Sequence, residues 1–237
     1  MKSLVLICSM VLSLFSTQAL AVGSEISIGF NVGLAGGGQS DMNKLISNAN
    51  TRESGLSVSD LGNAWDLNAT FTYRVTDMIG LQFRPGMYMV SEDGSNSSGS
   101  FEYAVTGFTI FPVMRLYLLE NNYIAFFSNI AVGWGYLSGE IKEASDTVEF
   151  SGSNLGYMVG LGAEFCFFGG SHCMNIEGNL RYLDVERLIA DKANFDTTTN
   201  GGLITQAQKS LEVEIGGRDL GLNMSGIVGS IGYIYYF

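Results

Sequence analysis

Residues 222–237 read LNMSGIVGSIGYIYYF and close the chain on an aromatic residue. Ile227, Ile231, Tyr233, Tyr235 and Phe237 share one side of this stretch, because in an extended chain every second side chain points the same way. Chain ends are usually frayed and polar. An apolar face carried to the last residue instead indicates a β-strand held in register to its end.

Working back from that strand, the same alternation recurs. In residues 24–36, SEISIGFNVGLAG, Ile26, Ile28, Phe30, Val32 and Leu34 alternate with Ser27, Gly29, Asn31, Gly33 and Ala35. In residues 63–75, NAWDLNATFTYRV, Trp65, Leu67, Ala69, Phe71 and Tyr73 alternate with Asp66, Asn68, Thr70, Thr72 and Arg74. Similar patterns cover segments near 78–90, 106–118, 123–137, 154–167 and 174–182. About eight strands result, each long enough for the roughly 9–11 residues that a tilted strand needs to cross a bilayer. The connections alternate between long (36–62, 92–101, 138–153, 184–219) and short (76–77, 118–122, 168–172). The fold class expected is all-β: an antiparallel up-and-down transmembrane β-barrel with short periplasmic turns and long extracellular loops. With 237 residues and no linker, it is one domain.

The first residues stand apart from this pattern. Lys2, an apolar run from Leu4 to Phe15 and Ala19-Leu20-Ala21 follow the order of a secretory signal peptide. The apolar run is shorter than the roughly 20 residues of a membrane helix. Residues 1–21 are therefore read as a signal peptide and 22–237 as the barrel domain. Export to an oxidising compartment favours a disulfide between Cys166 and Cys173 across the turn CFFGGSHC. Zinc is disfavoured there, since His172 brings the soft ligands only to three.

Alternation alone does not say which face is outside, and a soluble lipocalin-like barrel with its apolar face around a ligand alternates equally well. The polar face decides. It consists of Gly, Ala, Asn, Ser and Thr with single charges, Asp66, Arg74, Arg84, Arg115, Glu164, Glu177 and Arg181, and the predicted strands contain no Lys. A solvent face would be rich in Lys and Glu, whereas small residues suit the crowded inside of a narrow barrel. Buried charges must be paired, so these seven are expected to form a network along the axis. The opposite face is a lipid-facing belt, with Trp65, Trp134, Tyr136 and Tyr233 at its interfaces. Pro85 and Pro112 lack an N–H for the ladder, so a bulge or missing bond is expected where strands three and four meet.

Ser230, Gly232, Tyr235 and Phe237 also match the closing-strand pattern of exported barrels, a polar residue, then Gly, then spaced aromatics. With the proline-bearing strands GLQFRPGMYM and TIFPVMRLYL, they make the whole mature chain resemble the small eight-stranded outer-membrane proteins of the OmpA, OmpX and OmpW type. The resemblance implies an outer-membrane location and insertion by the barrel assembly machinery, which reads that closing strand. It also implies contact with outer-membrane lipids and lipopolysaccharide.

The chemistry is sparse. His172 is the only histidine and lies in a predicted periplasmic turn, so no His-based triad forms at the outer rim. Glu164 and Glu177 are read as partners of the arginines rather than as an acid/base pair. Gly160-Leu161-Gly162 lies in a strand with no helix to hold a phosphate. No catalytic residue, metal site or cofactor is assigned. Counted over 36–62, 92–102, 138–153 and 184–219, the long connections hold 17 acidic and 7 basic residues, so −10 of the −11 net charge lies there. Such loops suit a cation or an extracellular protein and exclude nucleic acid. Within the last connection, Leu211, Val213 and Ile215 are read as the start of strand eight, pairing near Asp184–Leu188. The reading is a monomeric, non-enzymatic surface protein. The alternatives are a narrow conduit for small or apolar molecules, suggested by glycines facing inward on strands five and six, and the soluble binder.

Overall fold

The computed structural model describes residues 26–121, 123–167, 171–197 and 203–237. The segment read as a signal peptide lies outside the described residues. Eight strands form the wall: β1 (Ile26–Gly36), β2 (Ala64–Arg74), β3 (Ile79–Asn96), β4 (Gly99–Glu120), β5 (Ile124–Glu143), β6 (Asp146–Phe167), β7 (His172–Tyr182) and β14 (Gly226–Tyr236). Each pairs antiparallel with its neighbour, and β14 closes the ring between β7 and β1. The closing ladder starts at Ser27↔Tyr236, and the Phe237 N–H donates to the Ile26 carbonyl. The aromatic chain end is thus the sealing strand, at the short-turn end of the barrel.

Two of the long connections were expected as loops but are strands. β3 and β4 form a hairpin to Asn96↔Gly99, and β5 and β6 form one to Glu143↔Asp146. β4 has 22 residues and β5 has 20, about twice what a roughly 9–11-residue crossing requires. The periodicity was hard to follow there because the polarity of the two faces exchanges. Facing outward along β4 are Ser100, Glu102 and Thr106, then Phe108, Met114 and Leu118; facing inward are Phe101, Tyr103 and Val105, then Thr109 and Arg115. The switch recurs between Met89 and Ser91, between Tyr136 and Ser138, and between Ser153 and Leu155. The half nearer the short turns is polar inside and apolar outside, and the half nearer the long connections is the reverse.

An apolar core fills the upper, long-connection half, built from Phe101, Tyr103, Leu137, Ile141, Phe150, Leu183 and their neighbours. Helix α1 (Ser40–Arg52) caps it, with Met42, Leu45, Ile46 and Ala49 on its buried stripe. Burying those four residues against the core is what holds a helix of only 13 residues in place. Asn43 and Asn50 then brace the returning segment, each exchanging two hydrogen bonds with the backbone of Leu61 and Val58 respectively.

The last long connection adds short strands β8 (Asp184–Val185), β9 (Ile189–Asn194), β10 (Ile204–Gln206), β11 (Glu214–Ile215), β12 (Arg218–Asp219) and β13 (Leu222–Asn223). β9 extends the wall by pairing with the upper part of β6. Leu222–Asn223 pairs with Asp184–Val185 as an upward extension of the sealing strand. Earlier in the connection Glu212 bridges Ile189, with Val213 N–H donating to the Leu188 carbonyl and Ala190 N–H to that of Leu211, both at 2.9 Å. Glu214–Ile215 then turns into a three-stranded sheet with β10 and β12, and Val213 and Ile215 are buried.

The proline expectation is also corrected. The β3–β4 register runs unbroken through Phe83↔Pro112 and Pro85↔Ile110. The gaps fall on the other sides, between Asn68↔Gly86 and Phe71↔Phe83 in β2–β3 and between Ile110↔Trp134 and Val113↔Ala131 in β4–β5. A strand's backbone groups serve its two neighbours alternately, so each missing N–H interrupts only the ladder it faces.

Candidate functional site: the filled interior and its cap

The lower interior is arranged in layers. Next to the short turns, Arg74 stacks on Tyr117 at 3.8 Å and pairs with Glu120 at 2.8 Å. Arg74 therefore stands at the mouth, at the short-turn end of the column, because it is the last residue of β2. Above it, the fully buried Arg115 rests on the Phe127 ring at 3.8 Å and donates to Glu164, and at 2.5 Å to Glu177. Tyr236, from the sealing strand, donates to Glu164 at 2.5 Å. Glu177 also accepts from Arg84 at 2.5 Å, from Asn175 at 3.0 Å and from Asn179 at 3.2 Å. An amide layer follows, in which Asn175 donates to Asn31 and Asn31 to Asn68, both at 2.9 Å. Above it Arg181 pairs with Asp66 at 2.5 Å. Three arginines meet three carboxylates in this column, so it is neutral.

Geometry explains why these residues gather. All occupy inward positions, and each unpaired charge in that low-dielectric space would cost several kcal/mol, on the order given for buried ions. The glycines of β5 and β6 do not leave a channel. A Cβ on Gly162 would come within 2.3 Å of the Phe127 ring, one on Gly133 within 2.4 Å of Phe111, and one on Gly139 within 2.3 Å of Phe150. These glycines are where large interior side chains press against the wall.

The amides Asn31, Asn68, Asn175 and Asn179 and the hydroxyl of Tyr236 escaped the sequence reading, although all stand in the inward phase of their strands. The cap escaped it too, while the spacing of Met42, Leu45, Ile46 and Ala49 carried the signal of a helix.

Three polar clamps hold the cap. The Gln39 amide donates to Tyr88 at 3.1 Å and to the Asn223 carbonyl at 2.5 Å, and Asn223 N–H returns a bond at 3.0 Å. Arg52 reaches Glu143 at 2.7 Å, and Glu143 accepts from Tyr103 at 2.9 Å. Burial, and then the Glu143 carboxylate, push the Tyr103 phenol well above its ordinary value, so it remains a donor. On the outer side of α1, Arg218 grips Asp41 with both guanidinium nitrogens, one at 2.8 Å, and Gly221 N–H adds a bond at 3.2 Å. Burial raises the Asp41 carboxyl, but these bonds outweigh it and hold the group below the usual carboxylate range. Asp184, in the same cleft, is pushed up by burial and then by the nearby Glu186 and Asp41 charges.

On the outer surface, Trp65, Trp134 and Tyr136 lie at the level where the faces exchange polarity, with Tyr157 stacked on Tyr182 at 5.4 Å. Tyr233 lies near the short turns, where it contacts His172; Tyr235 and Phe237 meet edge-to-face at 5.0 Å. Ser230 and Gly232 stand on the inward side of β14. Cys166 and Cys173 are disulfide-bonded directly across the β6–β7 ladder.

A closed eight-stranded antiparallel barrel, polar within and belted with apolar side chains without, is the fold of the small outer-membrane barrels. The outer membrane protein OprG from Pseudomonas aeruginosa superposes over 91% of this chain and 96% of its own, with a TM-score of 0.54 and 13% identity. Ail, the attachment invasion locus protein of Yersinia pestis, aligns over 90% of this chain and 97% of its own, with a TM-score of 0.42 and 11% identity. No family model and no curated protein sequence matches the chain.

Proposed function

We propose that the chain is an outer-membrane surface protein without enzymatic activity, which anchors a compact acidic module outside the cell. The observation that carries this reading is the filling of the barrel on two levels. The column from Glu164 to Asp66 occupies the membrane half, and an apolar core under α1 occupies the other. An interior so occupied suits a plug and an anchor better than a conduit. The short turns lie in the periplasm, and lipopolysaccharide surrounds the belt near Trp65 and Trp134. The upper module, which carries most of the net charge, is the part available to cations or to basic partner proteins. The charge-paired barrel is a monomer, delivered by a signal peptide over residues 1–21 and inserted by the assembly machinery through its closing strand.

The test is electrical. Purified protein that shows a heat-modifiable band on gels, reconstituted into planar bilayers, is expected to leave the bilayer silent. Reproducible unitary conductance from such preparations would replace the anchor with the conduit.

A further inference from the structure

Between the amide layer and the Asp66–Arg181 pair lies a small internal cavity of ≈ 10 Å³, lined by Asn68, Arg84, Thr109, Asn179, Arg181 and Val228 among others. Space of about this size admits one water molecule. Three of its lining side chains, Arg84, Asn179 and Arg181, are at least nine-tenths buried, and each has one polar atom that no protein group satisfies: Arg84 Nη1, Arg181 Nη2 and Asn179 Oδ1. A buried polar atom left unpaired is destabilising, and interiors meet such demands with ordered water.

The donor set identifies the occupant. Two guanidinium nitrogens exclude a cation. Asn179 Nδ2 is committed to the Glu177 carboxylate at 3.2 Å, and turning the amide over would set oxygen against oxygen. Oδ1 is thereby fixed as the acceptor, and an acceptor excludes an anion. The column is also already neutral, so no counter-ion is called for. What remains is a small neutral molecule that accepts twice and donates at least once.

We propose that this cavity is a binding site for a single internal water, accepting from Arg84 and Arg181 and donating to Asn179. The water adds a direct link between Arg84 and Arg181 in a column already continuous through Asn68, which accepts from Arg84 at 2.9 Å and donates to Asp66 at 3.3 Å. Gly160 shapes the site, since a Cβ there would lie 2.0 Å from Asn179 Oδ1.

The test uses the wild-type protein, so no variant need fold. Crystals diffracting well enough to place waters are grown with and without bromide. The expected result is one peak within hydrogen-bonding distance of all three atoms, with no anomalous signal in bromide. In micelles, water-selective cross-relaxation to the Asn179 carboxamide protons should be seen. An empty cavity, side chains turned to pair with each other, an anomalous bromide peak, or absence of the cross-relaxation would each overturn the assignment.

Discussion

Glu177 is the node of the interior, and changing it to Gln tests the electrostatic account most directly. The carboxylate is fully buried and faces Arg84 and Arg115, each at 2.5 Å. Gln is nearly isosteric, so the substitution removes a charge without opening a cavity. It leaves two guanidiniums with one fewer counter-charge in a site sealed from bulk solvent. Breaking one buried pair by removing a partner costs about 3–5 kcal/mol. Because Glu177 serves two arginines while Arg115 retains Glu164, a loss of about 4 kcal/mol is expected. Urea unfolding in detergent micelles reads this loss through Trp65 and Trp134, which both face outward at the edge of the belt. With a slope of about 2 kcal/mol per molar urea, the midpoint should fall by about 2 M. The double variant Glu177→Gln/Arg84→Gln restores neutrality and should regain a large part of the loss. A midpoint for Glu177→Gln within about 0.5 M of wild type, or a double variant weaker than the sum of the singles, would refute the claim that charge balance holds this interior together.

Three other outcomes follow from particular contacts. Gly226 has φ +142°, and a Cβ there would lie 1.7 Å from the Gly36 carbonyl oxygen, so Gly226→Ala should sharply lower the yield of heat-modifiable barrel in refolding assays. Ile46 is wholly buried under α1; Ile46→Asp should release the cap and expose residues 37–62 to limited proteolysis, while the gel shift that reports the barrel persists. The clamp on Asp41 should depend on pH. Its folded-state carboxyl titrates below the unfolded one, so its contribution is present above the unfolded value of about 4 and is lost as pH falls through the folded value. Amide exchange in α1 should accelerate in that acidic range, and Arg218→Gln should abolish the step. Asp184 is shifted the other way and opposes folding at neutral pH; Asp184→Asn should slow the same exchange at pH 7.

The lower half of the barrel was readable because one chemical contrast, small or charged against large and apolar, persists over strands such as Ile26–Gly36 and Ala64–Arg74. In the upper half the alternation continues while the contrast inverts. Ser100, Glu102 and Thr106 occupy the face that Phe108 and Met114 occupy below, and a segment averaged over both reads as irregular. The inward charges could be picked out because a lone Arg or Glu among glycines and asparagines has few other places to go. Their pairings could not, since register across eight strands decides that Arg115 meets Glu164 and that Arg74 meets Glu120. The helix was hidden by a different habit, that of treating any stretch between strands as loop, although Met42, Leu45, Ile46 and Ala49 mark its stripe.

The continuity of β3 to β6 across the level where the faces exchange has a mechanical consequence. The hairpin tips at Asn96–Gly99 and Glu143–Asp146 connect to the membrane half through uninterrupted ladders, with no hinge segment between. A pull applied at those tips, by a partner or by the cell wall of a neighbour, runs along the strands and loads many hydrogen bonds in parallel shear. It cannot peel them one at a time. The module outside the belt is thus a stiff mast stepped into the bilayer, and force on it is delivered undiminished to the surrounding lipid.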